Sequence, residues 1–478
     1  QGSLDCLAEI NFQEAIELAS VLDEERKAGQ IRGPLHGLPI SIKDQIDMKG
    51  FDSTCGTAAR CNKPKQKDAV IVSLLKEDGA IPFVRTNVPQ ALFLPESVNM
   101  IWGASKNPID PKRTSGGSSG GEGSLISSLG SCVGIGTDIG GSIRIPASYC
   151  GICGFKPTPG RLSYKGLSVP RPGNVNGQNA IYSTAGPMAR CVDDLNLIMR
   201  SLCRDDMWRK DPSLPPLRWN NQTFESKNKQ KLRFGYFEDD GYFAPSPANR
   251  RAVLETVENL TKAGHSVEKI EFPFEKVAWC YIKLMSAEGG MRGFIDGLEG
   301  EALHPVYSFI YHIASLPNAI RPLISTFLRA VNKNRQADLL TNANKKTTYE
   351  YWAAFAELKL LKEQLIHKWS DMQLDCVLCP SGGTPAFPHG MSGKLSQGCS
   401  YFFIWNALPF PAGSVPVTTV KDDEEVYSGP ADDITAAAKI CMKGSGGLPV
   451  GVQVVGLPFH DELCLRGMKA VEDATKTH

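Results

Sequence analysis

Apolar positions follow two rhythms along this 478-residue chain. A repeat of three to four marks helices, and strict alternation marks strands. The helical rhythm covers residues 4–27, where Leu7, Ile10, Phe12, Ala15, Ile16, Ala19 and Leu22 recur before Gly29 stops it. Residues 37–44 alternate instead. Leu38, Ile40 and Ile42 face one side of a predicted strand, and Ser41 and Lys43 face the other. A helix follows over 68–78, with Val70, Ile71, Leu74 and Leu75 inward, then a strand and turn over 81–87 and a mixed loop over 90–100. Further on, a helix at 192–202, a strand at 232–237, a helix at 249–263 and a strand at 266–272 give a βαβ-like alternation, which predicts an α/β body. A long helix at 348–369, strands at 375–380, 414–420 and 450–455, and a closing helix at 461–474 complete the pattern. The Gly/Pro-rich 157–178 and polar 205–229 read as surface loops. No internal repeat divides the chain, so 1–478 is read as one domain.

Residues 316–333 stand apart. Ile320, Leu323, Ile324, Phe327, Leu328 and Val331 share one helical face, with Arg321, Arg329 and Lys333 at its edge or beyond. This is the pattern of a helix lying in a membrane interface, apolar side down and basic residues near headgroups. A core helix has the same pattern.

Composition narrows the classes. A net charge of +1 argues against a nucleic-acid binder, which carries a basic stripe. Fourteen irregularly spaced cysteines do not form a disulfide framework and read as reduced thiols. Two Cys-x-x-Cys pairs, Cys150/Cys153 and Cys376/Cys379, lack the histidine pattern of a zinc site, so no metal or cofactor is expected. No apolar run approaches the ~20 residues of a spanning helix. The Gln1-Gly2-Ser3 start lacks a methionine and reads as a chain missing some native N-terminal sequence. Asn221-Gln222-Thr223 and Asn259-Leu260-Thr261 are glycosylation-type triplets, expected to be unmodified in a cytosol-facing domain.

The candidate chemistry sits in residues 115–146. Two small-residue loops, Ser115-Gly116-Gly117-Ser118-Ser119-Gly120-Gly121-Glu122 and Gly136-Thr137-Asp138-Ile139-Gly140-Gly141-Ser142-Ile143-Arg144, flank a small, apolar run suited to a buried helix or strand. Glycines let the backbone approach a bound molecule. The N–H groups of Ile139, Gly140, Gly141 and Ser142 could form an oxyanion hole, with Ser142 as acyl nucleophile. A nucleophile needs a base, and a lysine on an inner strand is desolvated toward its neutral form, as in Ser-Lys variants of the serine triad. Lys43 is that candidate. Gly117-Ser118-Ser119-Gly120-Gly121 also fits a G-x-S-x-G elbow, but the elbow needs a preceding strand. Residues 107–114, with Pro108 and Pro111, read as a loop instead. Pro146 leaves little helix for Ser142 to cap. Asp138 and Arg144 are expected to tie the loop rather than touch substrate.

These motifs, in this order and with the two serines 24 positions apart, resemble the amidase signature family. The likeness extends to Gly447-Leu448-Pro449-Val450-Gly451-Val452-Gln453. Glu122, Cys150-Gly151-Ile152-Cys153-Gly154, Phe410-Pro411-Ala412-Gly413 and Val415-Pro416-Val417-Thr418-Thr419-Val420 are similar to the branch acting on fatty acid amides. The resemblance implies a large mixed β-sheet surrounded by helices. It implies hydrolysis of N-acylethanolamines and primary fatty amides through an acyl-enzyme, with Lys43, Ser118 and Ser142 as catalytic triad and Ser118 as proton relay. Leu92, Ser118, Ile139, Gly140, Gly141 and Ser142 would bind the reacting amide, while Phe93 and Tyr242 would line the acyl channel. It further implies a shorter membrane-contacting insert at 316–333, a removed N-terminal membrane helix, a homodimer, and a cytosol-facing place on an endomembrane such as the endoplasmic reticulum. The competing readings are an amidase for small amides or glutamine, and a non-catalytic binding protein that keeps the fold.

Overall fold

The computed structural model describes residues 3–171, 177–225 and 231–476. Parts of the two expected surface loops, at 172–176 and 226–229, lie outside the described residues, as does the start at Gln1 and Gly2.

Eleven strands form one mixed sheet. In chain order they are β1 (Leu7–Ile10), β2 (Pro39–Lys43), β3 (Ile81–Thr86), β4 (Val133–Asp138), β5 (Cys153–Lys156), β6 (Thr184–Ala189), β7 (Arg233–Tyr236), β8 (Ser266–Lys269), β9 (Cys376–Pro380), β10 (Ala412–Thr419) and β11 (Pro449–Val455). Their order across the sheet is β1-β3-β2-β4-β6-β5-β10-β11-β9-β7-β8. Every residue of β4, β5, β6, β9 and β11 is buried, so the centre of the sheet is covered on both faces. Edge strand β8 is largely exposed and carries Glu268 and Lys269, charges that discourage edge-to-edge pairing.

Helices pack around this sheet. They include α1 (Phe12–Lys27), α2 (Val70–Glu77), α3 (Gly120–Ser127), α4 (Arg144–Cys150), α5 (Val192–Leu202) and α6 (Pro247–Lys262). The second half adds α7 (Phe274–Met285), α8 (Arg292–Gly297), α9 (Ser308–Ser315), α10 (Arg321–Ala330), α11 (Asn334–Asn342), α12 (Thr348–Asp371), α13 (Ser400–Ala407) and α14 (Asp461–Lys476). The expected βαβ unit is β7-α6-β8, with its strands parallel. α12 starts in a capping box, in which the Thr347 hydroxyl accepts the Glu350 N–H and the Glu350 carboxylate accepts the Thr347 N–H.

Three sequence expectations are corrected. The first helix starts at Phe12, because Leu7–Ile10 pairs antiparallel with β3. Sheet pairing overrides the helical rhythm there. A seven-residue helix, α4, runs through Pro146, where little helix was expected. Pro146 falls in its first turn, where a missing N–H costs no hydrogen bond. The segment 316–333 is not one continuous helix. A short turn at Asn318–Ile320 leads into α10, and a second helix, α11, folds back against it.

Candidate active site

β2 and β4 are parallel neighbours, and the site lies at their carboxyl ends, where open α/β sheets bind ligands. Lys43 is the last residue of β2 and is completely buried. Its Nζ lies 2.8 Å from Ser118 Oγ and 2.7 Å from Thr137 Oγ1. Burial pushes its pKa down to about 7, against the opposing pull of Asp138, Cys55, Glu122 and Asp44. The amine is thereby shifted toward its neutral form, which can accept a proton.

The hydrogen-bond directions show where that proton comes from. Thr137 Oγ1 donates to Gln45 Oε1 at 2.6 Å. Its single hydroxyl proton is thus committed, so it accepts from Lys43. Gln45 Nε2 donates to Tyr164 OH at 3.0 Å, and Tyr164 OH donates to Ser183 Oγ at 2.9 Å. Lys43 Nζ donates to both hydroxyls in this structure; because Thr137 can only accept, the neutral amine can keep one N–H on Thr137 and turn its lone pair to the Ser118 proton. Thr137, Gln45 and Tyr164 were not assigned roles from sequence. Thr137 and Gln45 lie close to motif residues, but a side-chain chain between adjacent strand ends leaves no periodic signal. Lys156 of β5 is equally buried and also pushed down to about 7 by burial. Among the described residues it bonds the Pro157 carbonyl, at 3.4 Å, and no hydroxyl, so contact with a hydroxyl, not burial, distinguishes Lys43.

Ser118 sits just before α3, after a cis Gly117–Ser118 peptide. A loop precedes it, not a strand, so the elbow geometry is absent. Ser119, the elbow's candidate, is fully buried and faces β4, with its Oγ 3.4 Å from the Thr137 carbonyl.

Ser142 follows β4 on the loop 139–142. Asp138 anchors this loop, accepting the Gly141 N–H at 2.8 Å and the Ile143 N–H at 3.1 Å. Burial alone would raise the Asp138 pKa, but Arg144 beside it holds the carboxylate well below its usual range. Arg144 is itself fully buried. It reaches Asp138 at 3.0 Å, Asn406 Oδ1 at 2.7 Å, Gln453 Oε1 at 2.8 Å and the Phe402 carbonyl at 2.9 Å. The expectation that Asp138 and Arg144 tie the loop holds, while Asn406 and Gln453, far along the chain, were not foreseen.

The Gly141 N–H is therefore not open to a ligand in this structure, which revises the four-donor oxyanion expectation. The N–H groups of Ile139, Gly140 and Ser142 have no hydrogen-bond acceptor among the described residues. Gly141 serves the loop differently. Its φ of +112° and the Phe402 and Ile145 atoms that a Cβ would meet at 2.6 and 2.8 Å both require glycine.

Above this floor lies a cavity of about 430 Å³, the size of a site for a drug-sized ligand. Ser118, Ser142, Ile139, Gly140, Leu92, Phe93 and Tyr242 all line it, so the sequence candidates converge apart from Gly141 and Lys43, which lie behind the wall. Ala91 and Leu92 both take left-handed conformations, with φ of 50° and 61°. Two such non-glycine residues in sequence store strain at the rim of the site. Gln90 holds this loop to the insert. It donates to Glu301 and the Ala302 carbonyl at 2.7 and 2.9 Å, and its carbonyl accepts the Tyr307 hydroxyl at 2.8 Å. Phe93 stacks near Phe294, with ring centroids 5.4 Å apart, and Tyr242 packs against Trp279 at 4.9 Å. The outer walls come from Phe309, Ile310, Ile313 and Ala314 of α9 and Leu339 of α11. Among the described residues, no group of three or more histidine, cysteine, aspartate or glutamate side chains is placed to hold a metal ion.

A buried lysine joined to a serine hydroxyl lies beside a second serine under an apolar cavity, an arrangement suited to serine-hydrolase chemistry. The chain belongs to the amidase family, whose model matches residues 1–465. It is similar to fatty-acid amide hydrolase 1 of Sus scrofa, at 40% identity over 92% of this chain and 76% of the relative. It is 36% identical to fatty acid amide hydrolase 1 of Caenorhabditis elegans, over 95% of this chain and 80% of the relative. An acetamidase of Emericella nidulans is 33% identical over 97% of this chain and 82% of the relative. Among solved structures, a fatty acid amide hydrolase superposes with a TM-score of 0.83 at 28% identity, over 99% of this chain and 79% of that one.

Proposed function

We propose that the protein hydrolyses fatty acid amides, N-acylethanolamines and primary fatty amides among them, through an acyl-enzyme on Ser142. The observation that carries this reading is the near-neutral Lys43 bonded to Ser118, with Ser118 and Ser142 opening into one apolar cavity.

Lys43 takes the Ser118 proton as Ser118 takes that of Ser142, and the freed Ser142 oxygen attacks the amide carbonyl. The Ser142 hydroxyl makes no hydrogen bond among the described residues, so in this reading it must turn toward Ser118 for the relay to close. The N–H groups of Ile139, Gly140 and Ser142 receive the oxyanion; one such donor contributes ~2.7–4 kcal/mol in acyl-transfer enzymes. The proton then returns through Ser118 to the leaving nitrogen, and water releases the fatty acid. Leu92 binds the amide, and Phe93 and Tyr242 flank the acyl chain.

A membrane surface is part of this reading. In α10 the apolar face points outward: Leu323 is 75% and Phe327 65% exposed. α9, which precedes this insert, lines the cavity. The opposite face of α10 is held by Arg321, which is buried rather than near headgroups. It donates to five carbonyls, of Ile313, Ala314, Leu316, Leu340 and Ala343, at 2.8–3.0 Å. No helix among the described residues is long and apolar enough to cross a membrane. The proposed attachment of 316–333 is therefore interfacial, and a cytosol-facing place on the endoplasmic reticulum follows from likeness alone. A homodimer is part of the same proposal, with the exposed Tyr349 and Trp352 of α12 as contact candidates.

The test compares oleamide and acetamide hydrolysis by the wild type and Ser142→Ala in detergent. Strong preference for oleamide, abolished in Ser142→Ala, is the expected outcome. Preference for acetamide would keep the Ser-Lys site and overturn the lipid substrate.

A further inference from the structure

The Ile139 carbonyl and the Gly140 N–H belong to one planar trans peptide unit, so they point in opposite directions. What holds the carbonyl therefore aims the N–H. Tyr281, from α7, donates its hydroxyl to the Ile139 carbonyl at 3.3 Å. The same hydroxyl covers the next residue: a Cβ built on Gly140 would lie 2.5 Å from the Tyr281 oxygen. The ring is fixed by stacking on Phe403 of α13, with centroids 4.4 Å apart and planes 11° from parallel. Burial raises the phenol pKa, so the group stays a neutral donor across the working pH range.

The peptide needs such a hold. Glycine at 140 offers the backbone more conformations than any other residue would. A flip of the 139–140 peptide would replace an N–H facing the substrate oxygen by a carbonyl, turning attraction into repulsion. The following peptide is already secured, because Asp138 accepts the Gly141 N–H. Nothing else in the protein accepts or donates at the Ile139 carbonyl or the Gly140 N–H among the described residues.

We infer that Tyr281 is a positioning residue for oxyanion binding: its hydroxyl fixes the 139–140 peptide so that the Gly140 N–H is presented to the oxygen of the tetrahedral intermediate. The inference rests on Ser142 being the nucleophile, as proposed above. A hydrogen bond to the carbonyl also polarises the peptide and strengthens its N–H as a donor.

Tyr281→Phe tests this, since the phenyl ring keeps the stacking on Phe403 and only the hydroxyl is lost. Expected is a fall in kcat of roughly 5- to 10-fold, the worth of one neutral hydrogen bond, with KM on oleamide unchanged. Inhibition by a reversible oleyl trifluoromethyl ketone, whose adduct carries the tetrahedral oxyanion, should weaken by the same factor. Gly140→Ala, which displaces the hydroxyl, should lose activity in the wild type and cost less when added to Tyr281→Phe. Unchanged kcat and ketone affinity in Tyr281→Phe would overturn the inference. So would a raised KM with kcat intact, which marks a residue of the acyl wall only. Fluorophosphonate labelling measures the underlying reading separately: labelling that persists in Ser142→Ala overturns both, whereas labelling lost in that variant leaves the Tyr281 result to stand or fall alone.

Discussion

The floor of the cavity and its rim are built on opposite terms. At the floor, Lys43, Asp138, Arg144, Thr137 and Ser118 are buried, and their polar groups are paired within the protein. At the rim, walled by α9 and α11, the adjoining α10 leaves Leu323 and Phe327 in the open, while Arg321 and Ser325 on its buried side bond to those two helices. Burying a leucine or phenylalanine side chain is worth ~1.5–3 kcal/mol, so the rim leaves stabilisation unused that a second phase could supply. The floor gives up stability through a desolvated lysine; the rim gives it up through exposed apolar side chains, which in the proposed function a membrane surface would cover. Each region should therefore respond to substitution in its own way.

The largest effect belongs to the floor. Ser142→Ala should remove at least ~10³-fold of the amide hydrolysis rate, because in the proposed mechanism Ser142 carries the acyl group. Fluorophosphonate labelling and kcat on oleamide report it together. Labelling at Ser119 instead would restore the elbow reading that its burial opposes.

Lys43→Met should come next and separate activity from stability. Activity falls by roughly 10²–10⁴-fold, the usual share of a general base. In the wild type the folded lysine has a pKa of about 7 against an ordinary value of 10.5, so the folded state binds fewer protons than the unfolded one between these values. The burial penalty is thus fully present below pH 7 and fades as pH rises toward 10.5. Lys43→Met, which has no charge to bury, should be more stable by roughly 2–5 kcal/mol at pH 7, with the gain vanishing near pH 10.5. Urea unfolding at both pH values measures this. The same pKa makes wild-type kcat/KM rise with pH through about 7; a profile flat from pH 5.5 to 8.5 would exclude lysine as the base.

The rim should break more gently. Leu323→Asp with Phe327→Asp is expected to weaken binding to phosphatidylcholine vesicles by roughly 100-fold, while hydrolysis of a short, soluble amide stays within about twofold. Equal vesicle binding by both proteins would mean that this face serves another partner. Arg321→Met should loosen the insert without touching the floor. It leaves five carbonyls short of a donor, so hydrogen exchange across α9 to α11 should rise, and oleamide turnover should fall more than acetamide turnover.

The same contrast explains what was legible in the sequence. Strand β2 declared itself through alternation, and the nucleophile loop through its glycines, because each depends on local rules of backbone geometry. Lys43 and Ser142 were singled out as candidates that way, while the family resemblance supplied Ser118 and the roles of all three. The rim was ambiguous: an amphipathic pattern states that one face is apolar, not what lies against it. Ile320, Leu323 and Phe327 satisfy a core helix and an interfacial helix equally, and only the fold shows that face exposed. The same limit misplaced Arg321, whose charge suggests solvent although its carbonyl partners come from two separate segments, 313–316 and 340–343. Asn406, Gln453 and Tyr281 escaped for a related reason. Their partners lie 142 to 309 positions away, and no periodicity encodes such a meeting. At the start of the chain, sheet pairing with β3 overrode a sound helical rhythm.

The smallest expected effect asks how finely the floor is tuned. Thr137 gives its proton to Gln45, so it serves Lys43 only as an acceptor. Valine has nearly the same shape; it removes that acceptor together with the proton given to Gln45. If the chain from Ser183 to Lys43 orients the amine, Thr137→Val should lower kcat by roughly 3- to 10-fold, since the lone pair no longer has a fixed direction. The accepted bond also favours the charged amine more than the neutral one. Its loss should therefore move the rising limb of the pH profile below pH 7, whereas a merely structural role would change stability and leave the limb in place. An unshifted limb with intact kcat would show that the backbone of β2 alone aims the lysine, and that the polar chain behind it only fills the wall between two strand ends.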